Sequence, residues 1–252
     1  MEVVIADDPQ QIGRLAADRF AAVVTRTPEA VLGFATGSSP IAVYDTLAAR
    51  VAAGELSFAR AQGFALDEYV GIPASDERSY AWFIRNRIER PLGMAAGAVQ
   101  VPEGTAADLE EAALRFDRAI ASAGGIDLQL LGVGVNGHIG FNEPSSSLGS
   151  RTRIKTLAQQ TRVDNARFFD SPAEVPTRCL TQGLGTIGEA RSVVLVASGE
   201  AKAAAIAAIV EGPVTSMWPG SVLQHHPRAT VIVDAAAASR LQLVDYYLSI
   251  SA

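Results

Sequence analysis

Short apolar runs alternate with longer amphipathic stretches along the whole of this chain. Residues 3–5, 31–35, 63–66, 126–131, 192–197 and 230–233 read as strands. The run 126–131 is largely apolar, as a parallel strand buried on both faces requires. Between the strands lie helix signals. Asp8-Pro9 offers an N-cap and an N1 proline for a helix reaching about Val24, and Ser39-Pro40 repeats the signal. Residues 79–90 read as a helix that stops before Pro91, and residues 107–122 as another. Helices over 200–210 and 235–248 follow the last two strands. Alternation of this kind predicts an α/β fold: a mostly parallel sheet with helices on both faces. No internal repeat, low-complexity tract or linker-like shift interrupts it, so one domain over residues 1–252 is expected. Residues 145–184 are irregular, and strands are hard to place there.

Composition narrows the class. The chain has 252 residues, of which 48% are hydrophobic and 19% charged, so it folds around a sizeable core. Lys and Arg number 21 against 27 Asp and Glu, a net charge of −6, which argues against a nucleic-acid partner. A small anion remains compatible, because a few converging cations suffice locally. One cysteine, Cys179, permits no internal disulfide and no thiolate metal cluster. No run approaches the ~18 apolar residues of a membrane span. Met1 is followed by Glu2-Val3-Val4-Ile5-Ala6-Asp7-Asp8 without a basic leader region. A cytoplasmic protein with no membrane partner is expected.

Candidate chemistry concentrates in Leu130-Leu131-Gly132-Val133-Gly134-Val135-Asn136-Gly137-His138-Ile139-Gly140-Phe141-Asn142-Glu143-Pro144. An apolar strand breaks into glycines and then presents His138 and Glu143 on irregular backbone. Histidine suits proton transfer near neutrality, and a carboxylate on its second nitrogen fixes tautomer and orientation. Gly132, Gly134 and Gly137 also match the dinucleotide fingerprint. That motif needs a helix at its third glycine and an acid about 20 residues on. Here Gly140 and Pro144 obstruct a helix, and no acid lies between Glu143 and Asp164. A metal site is disfavoured, since His225 and His226, the other histidines, are adjacent in sequence.

Four further clusters stand out. Thr36-Gly37-Ser38-Ser39-Pro40 lies between a strand and a helix, where hydroxyls and free N–H groups favour an anion; a plain helix cap is the competing reading. Phe64-Ala65-Leu66-Asp67-Glu68-Tyr69 brings Asp67 to a strand end as a candidate general base, against the alternative of a strand cap. Glu68 reads as structural or solvated. Arg167 and Lys202 are scattered cations, and Lys202 falls in the first turn of a helix, against the dipole. Ser150-Arg151-Thr152-Arg153-Ile154-Lys155-Thr156 is either a solvated strip or an anion site.

Taken together, these motifs resemble the glucosamine-6-phosphate deaminase family. The resemblance runs through Thr36 to Pro40, Leu66 to Gly71, Leu131 to Pro144, Ser150 to Leu157, Asn165 to Phe169, Met217-Trp218 and His226-Pro227, nearly the whole chain. It implies a Rossmann-like fold and a reaction without metal or cofactor. Glucosamine 6-phosphate and water would give fructose 6-phosphate and ammonia, as in amino-sugar catabolism. His138 would promote ring opening, with Glu143 orienting it. Asp67 would carry the proton from C2 to C1. Thr36, Gly37, Ser38, Ser39, Arg167 and Lys202 would hold the phosphate. Hexameric members carry Asp where this chain has Asn136, leaving Asn136 a supporting hydrogen-bonding role. Ser146, Ser147, Arg153, Lys155 and Thr156 match an allosteric site for N-acetylglucosamine 6-phosphate, which implies a homo-oligomer. A tyrosine completes that site in the family; its place here falls on Leu248, with Tyr247 one residue earlier. Competing functions are a related sugar-phosphate isomerase, a phosphogluconolactonase, or a sugar-phosphate sensor. The sensors normally append a helix-turn-helix, which this acidic chain does not suggest.

Overall fold

The computed structural model describes residues 1–250. Its strands are β1 (Glu2–Ala6), β2 (Val31–Phe34), β3 (Gln62–Ala65), β4 (Asp67–Tyr69), β5 (Val99–Gln100), β6 (Leu128–Leu131), β7 (Arg153–Thr156), β8 (Arg178–Thr181), β9 (Val193–Ala197) and β10 (Ala229–Asp234). Its helices are α1 (Pro9–Arg26), α2 (Ile41–Ala52), α3 (Tyr80–Phe83), α4 (Leu109–Ser122), α5 (Gln159–Asn165), α6 (Leu184–Gly188), α7 (Ala203–Val210) and α8 (Val244–Ile250).

Seven strands form one parallel sheet in the order β1-β10-β9-β6-β2-β3-β5. Every residue of β2, β6, β9 and β10 is buried. Successive strand residues point to opposite faces, so both faces of the sheet are covered, as the apolar runs predict. Local chemistry starts the helices. The Asp8 carboxylate accepts from Gln11 N at 2.6 Å ahead of Pro9, and the Asp108 side chain accepts from Glu111 N at 2.9 Å. α1 buries Ile12, Ala16, Phe20 and Val24, one stripe at helical spacing.

Three expectations need correction. The helix expected over 79–90 is a short α3 followed by a wider π turn at Ile84–Glu89. Within that turn Glu89 is buried, and its carboxylate accepts from Val99 N at 2.9 Å, tying the segment to β5. The helix expected over 235–248 forms only from Val244, after turns. The Glu211 carboxylate takes Gln242 N and Leu243 N at 2.8 and 2.9 Å, fixing where α8 begins. The region 145–184 holds two strands that the sequence pattern does not reveal. β7 and β8 pair antiparallel, and β8 pairs with β4, making a second, three-stranded sheet. Asp67 therefore begins β4 rather than ending β3. The junction is stitched by Gln182, whose N donates to Leu66 O at 2.8 Å and whose side chain donates to Ala65 O at 2.9 Å.

The connection after β2 runs to β3 on one side, whereas β6 lies on the other. Their carboxyl ends diverge, and the crevice that this opens is where α/β sheets bind ligands.

Candidate active site

Four strand ends and one helix end converge on a single solvent-open cleft. After β2 come Thr36, Gly37, Ser38 and Ser39. Asp67 stands at the start of β4. The loop after β6 supplies His138, and the turn after β9 supplies Lys202. α5 and the 3-10 turn Ala166–Phe168 supply Thr161, Asp164, Asn165, Arg167 and Phe168. Eight residues expected at a site thus share one cleft: Thr36, Gly37, Ser38, Ser39, Asp67, His138, Arg167 and Lys202.

One end of the cleft is cationic. Arg167 Nη2 donates to Ser38 Oγ at 3.0 Å, and its guanidinium stacks 4.8 Å from the Phe168 ring centre. Lys202 closes the turn that starts at Gly199, whose φ is +86°. Burial lowers the Lys202 pKa; Asp164 pulls it back up, and Arg167 adds to the fall. Ser39 does not cap α2, which starts without a side-chain cap, so the hydroxyls here are not absorbed by the helix.

Asp67 lies deeper and is only 4% exposed. Thr36 Oγ1 reaches its Oδ1 at 3.4 Å. Burial and the neighbouring Glu68 charge push the Asp67 pKa up to about 8, with the Thr36 contact opposing them. Glu68 points away on the alternate face of β4. Its carboxylate accepts from Tyr69 N, Tyr80 N and Ala81 N at 2.8, 3.0 and 2.8 Å, holding the start of α3. Glu68 is structural, as expected for it.

Behind the cleft, Glu143 is anchored in several directions. Its Oε1 accepts from Ala158 N at 3.1 Å, and its Oε2 accepts from Asn136 Nδ2 at 2.8 Å. His138 Nδ1 faces Oε2 at 3.6 Å. Burial raises the Glu143 pKa, but His138, Thr161 and Asn136 together bring it down to about 2. The Asn136 Oδ1 accepts from His138 N at 3.3 Å, so Asn136 bridges the pair. The glycines of the apparent dinucleotide motif serve this packing. A Cβ on Gly134 would sit 2.2 Å from the imidazole, and one on Gly137, with φ +80°, would meet the Trp218 ring at 2.5 Å. No helix opens after Gly137.

The remaining expected residues lie outside the cleft lining. Arg153 and Lys155 share one face of β7, and Thr156 lies on the other. Arg153 Nη1 donates to Asn142 Oδ1 at 2.9 Å, while Ser147 is exposed and Ser146 buried. The sequence reading missed Tyr80, Thr161, Asp164 and Phe168. Only Tyr80 carries a signal, as the first residue after the Ser79 cap. Among the described residues no three His, Cys, Asp or Glu cluster as metal ligands, and no helix is long and apolar enough to cross a membrane.

Comparison with known proteins places the chain in a family and matches its fold. Residues 7–232 match the family model described as glucosamine-6-phosphate isomerases/6-phosphogluconolactonase. A glucosamine-6-phosphate deaminase of Mycolicibacterium smegmatis is 58% identical over 98% of this chain and 95% of that protein. One from Streptomyces avermitilis is 56% identical over the same shares. Among solved structures, a monomeric glucosamine-6-phosphate deaminase superposes with a TM-score of 0.93 at 38% identity, covering 95% of this chain and 100% of that one. A 6-phosphogluconolactonase from Trypanosoma cruzi gives a TM-score of 0.75 at 19% identity over 96% and 97% of the two chains, which speaks to the fold alone.

Proposed function

The chain belongs to the glucosamine-6-phosphate isomerase/6-phosphogluconolactonase family, and from that premise we propose that it deaminates glucosamine 6-phosphate to fructose 6-phosphate and ammonia. The observation that carries this reading is Asp67, a buried carboxylate facing the same cleft as an oriented imidazole and a phosphate-sized cluster of donors. A lactonase has no use for a base that moves a proton between adjacent carbons; an aldose–ketose isomerisation requires one.

The phosphate is held by Arg167, Lys202 and the hydroxyls and N–H groups of residues 36–39. Glu143, ionised at any working pH, keeps the Nδ1 side of His138 as its partner, which leaves Nε2 to move the ring-opening proton from O1 to O5. Ionised Asp67 then takes the proton from C2 and returns it to C1. The amino group gives up a proton as O1 gains one, so that C2 carries a ketimine, and water adds at C2 and releases ammonia. Asn136 has no ionisable group, so its part is to hold Glu143 and the His138 backbone together. The test is a coupled assay for ammonia and fructose 6-phosphate, with glucosamine and galactosamine 6-phosphates in parallel. Hydrolysis of 6-phosphogluconolactone without ammonia release would replace this reading with the lactonase one.

A second reading, activation by N-acetylglucosamine 6-phosphate in a homo-oligomer, is favoured by two polar atoms. Arg153 Nη2 and Ser146 Oγ are buried without a partner, as donors awaiting an anion would be. Against it, the relative with 38% identity is a monomer, and the Tyr247 hydroxyl is already within 3.1 Å of Glu211. Saturation curves with and without the acetylated sugar phosphate, with light scattering for mass, decide it.

A further inference from the structure

The motif Met217-Trp218 belongs to the resemblance above, yet none of residues 216–220 lines the cleft. These residues form a strap across the catalytic loop and hold it at both ends. Near His138, Gly220 N donates to Gly137 O at 2.9 Å. Near Glu143, Ser145 N donates to Ser216 O at 2.8 Å. Midway along the strap, the Trp218 ring lies where a Gly137 Cβ would be, with its Cε3 2.5 Å from that position. Gly137 therefore cannot shift toward the strap without meeting the indole.

The strap is closed on itself. Trp218 N donates to Thr215 O at 3.1 Å, and Ser221 N donates to Trp218 O at 2.7 Å. The buried Ser221 hydroxyl accepts from Thr215 N at 2.9 Å and donates to Thr215 O at 3.0 Å. Gly220 rests on α7, where a Cβ would stand 2.6 Å from Ile209 Cδ1. The catalytic loop is less self-sufficient. Ser145 has φ +73°, in the left-handed region that a residue with a Cβ rarely adopts. Its bond to Ser216 holds it in the turn where Ser146 N donates to Glu143 O at 3.0 Å. Without that bond Ser145 is free to relax, and Glu143 moves with it.

The distance at stake is small. His138 Nδ1 and Glu143 Oε2 lie 3.6 Å apart, slightly beyond a hydrogen bond. A shift of about half an ångström inward closes the pair, and the same shift outward removes it. The two side chains sit near the two ends of the loop that the strap ties. We propose that residues 216–220, with Trp218 at their centre, are positioning residues that set the spacing of His138 and Glu143, and through it the tautomer and aim of the imidazole. The proposal rests on the deaminase reading above.

The test is a double-mutant cycle on kcat, read together with KM, for Trp218→Ala and Trp218→Phe in the wild type and in His138→Gln. In the wild type, Trp218→Ala should lower kcat about 10- to 100-fold, as misplacement by an ångström does, with KM within about twofold because Trp218 does not line the cleft. Trp218→Phe keeps a ring over Gly137 and should recover most of the loss. In His138→Gln, which cannot shuttle a proton, the further loss should fall below about threefold, because the strap acts through the imidazole. The same factor in both backgrounds would overturn the proposal. A second measurement needs no turnover: nitrogen-15 NMR of the neutral His138 imidazole in the free protein. The wild type should carry its proton on Nδ1, facing Glu143, and Trp218→Ala should show the Nε2–H form gaining. Identical imidazole spectra in the two would also overturn it. Where Trp218→Ala does not fold, Ser221→Ala serves, since it opens the strap by removing both Thr215 bonds. A wild type that releases no ammonia overturns the deaminase reading alone, and the imidazole spectra still decide the role of the strap.

Discussion

Two carboxylates, Asp67 in the cleft and Glu143 behind His138, are equally hidden and oppositely poised. Asp67 is 4% exposed and Glu143 is 5% exposed. Asp67 has one weak contact, from Thr36, beside a second negative charge, and burial holds its pKa up at about 8. Glu143 has a backbone N–H, the Asn136 amide and the His138 imidazole around it, and sits at about 2. Burial alone therefore does not decide protonation; the supply of donors does. The sparsely served group can exchange a proton near neutrality. The well-served one is a fixed charge that orients its neighbour.

The comparison breaks most visibly at Asp67. Asp67→Asn should lower turnover about 10²–10⁴-fold, with binding of the sugar phosphate little changed. Near-normal turnover would remove Asp67 as the base. For the wild type, kcat/KM should rise with pH through about 8 as Asp67 loses its proton. The opposite sign applies to Glu143. Its folded pKa of about 2 lies below the usual 4.5, so its charge stabilises the fold above about pH 4.5, and that contribution is lost as pH falls toward 2. Denaturant titrations should show about 3 kcal/mol of the Glu143 contribution disappearing over that window, and Glu143→Gln should remove that part of the slope while the part from Asp76 stays. Lys202→Ala should raise the half-saturating substrate concentration by about tenfold or more, since charge-assisted bonds are worth roughly 1.5–3 kcal/mol. An unchanged saturation curve would take Lys202 out of the phosphate site. Asn136→Leu should have the smallest effect, about fivefold in kcat, because it removes one hydrogen bond worth about 1 kcal/mol from the Glu143 side. Loss as large as in Asp67→Asn would mean that Asn136 touches the reaction itself.

The sequence made the two ends legible to different degrees. His138 and Glu143 stand in one glycine-broken run after a strand, and Asn136, which bridges them, lies in the same run. Six of the seven strands of the parallel sheet were equally readable as mainly apolar runs, whereas β5, only Val99–Gln100, was not. The setting of Asp67 was not. It depends on β4, β7 and β8, strands of three or four residues carrying Glu68, Arg153, Lys155 and Arg178, whose charges hide their extended character. β4 also pairs with residues more than a hundred positions away, as with Asp67 opposite Thr181. Tyr80 and Thr161 become site residues only through such packing; the Ser79 cap marks a helix start at Tyr80 but not a site, and nothing local marks Thr161. Residues 235–248 failed for a related reason. Alanine-rich sequence favours a helix, but Glu211, on a distant segment, captures the backbone at Gln242 and Leu243 and sets the start of α8.

These two carboxylates, alike in burial, differ in protonation because of their partners. Carbon-13 NMR titration of the aspartate and glutamate carboxyls in the free protein reads this directly, with Asp67→Asn and Glu143→Gln assigning the signals. The expected result is an Asp67 midpoint near 8 and a Glu143 signal that remains that of a carboxylate down to the lowest pH at which the protein stays folded. Two carboxyls titrating together in the ordinary acidic range would contradict it.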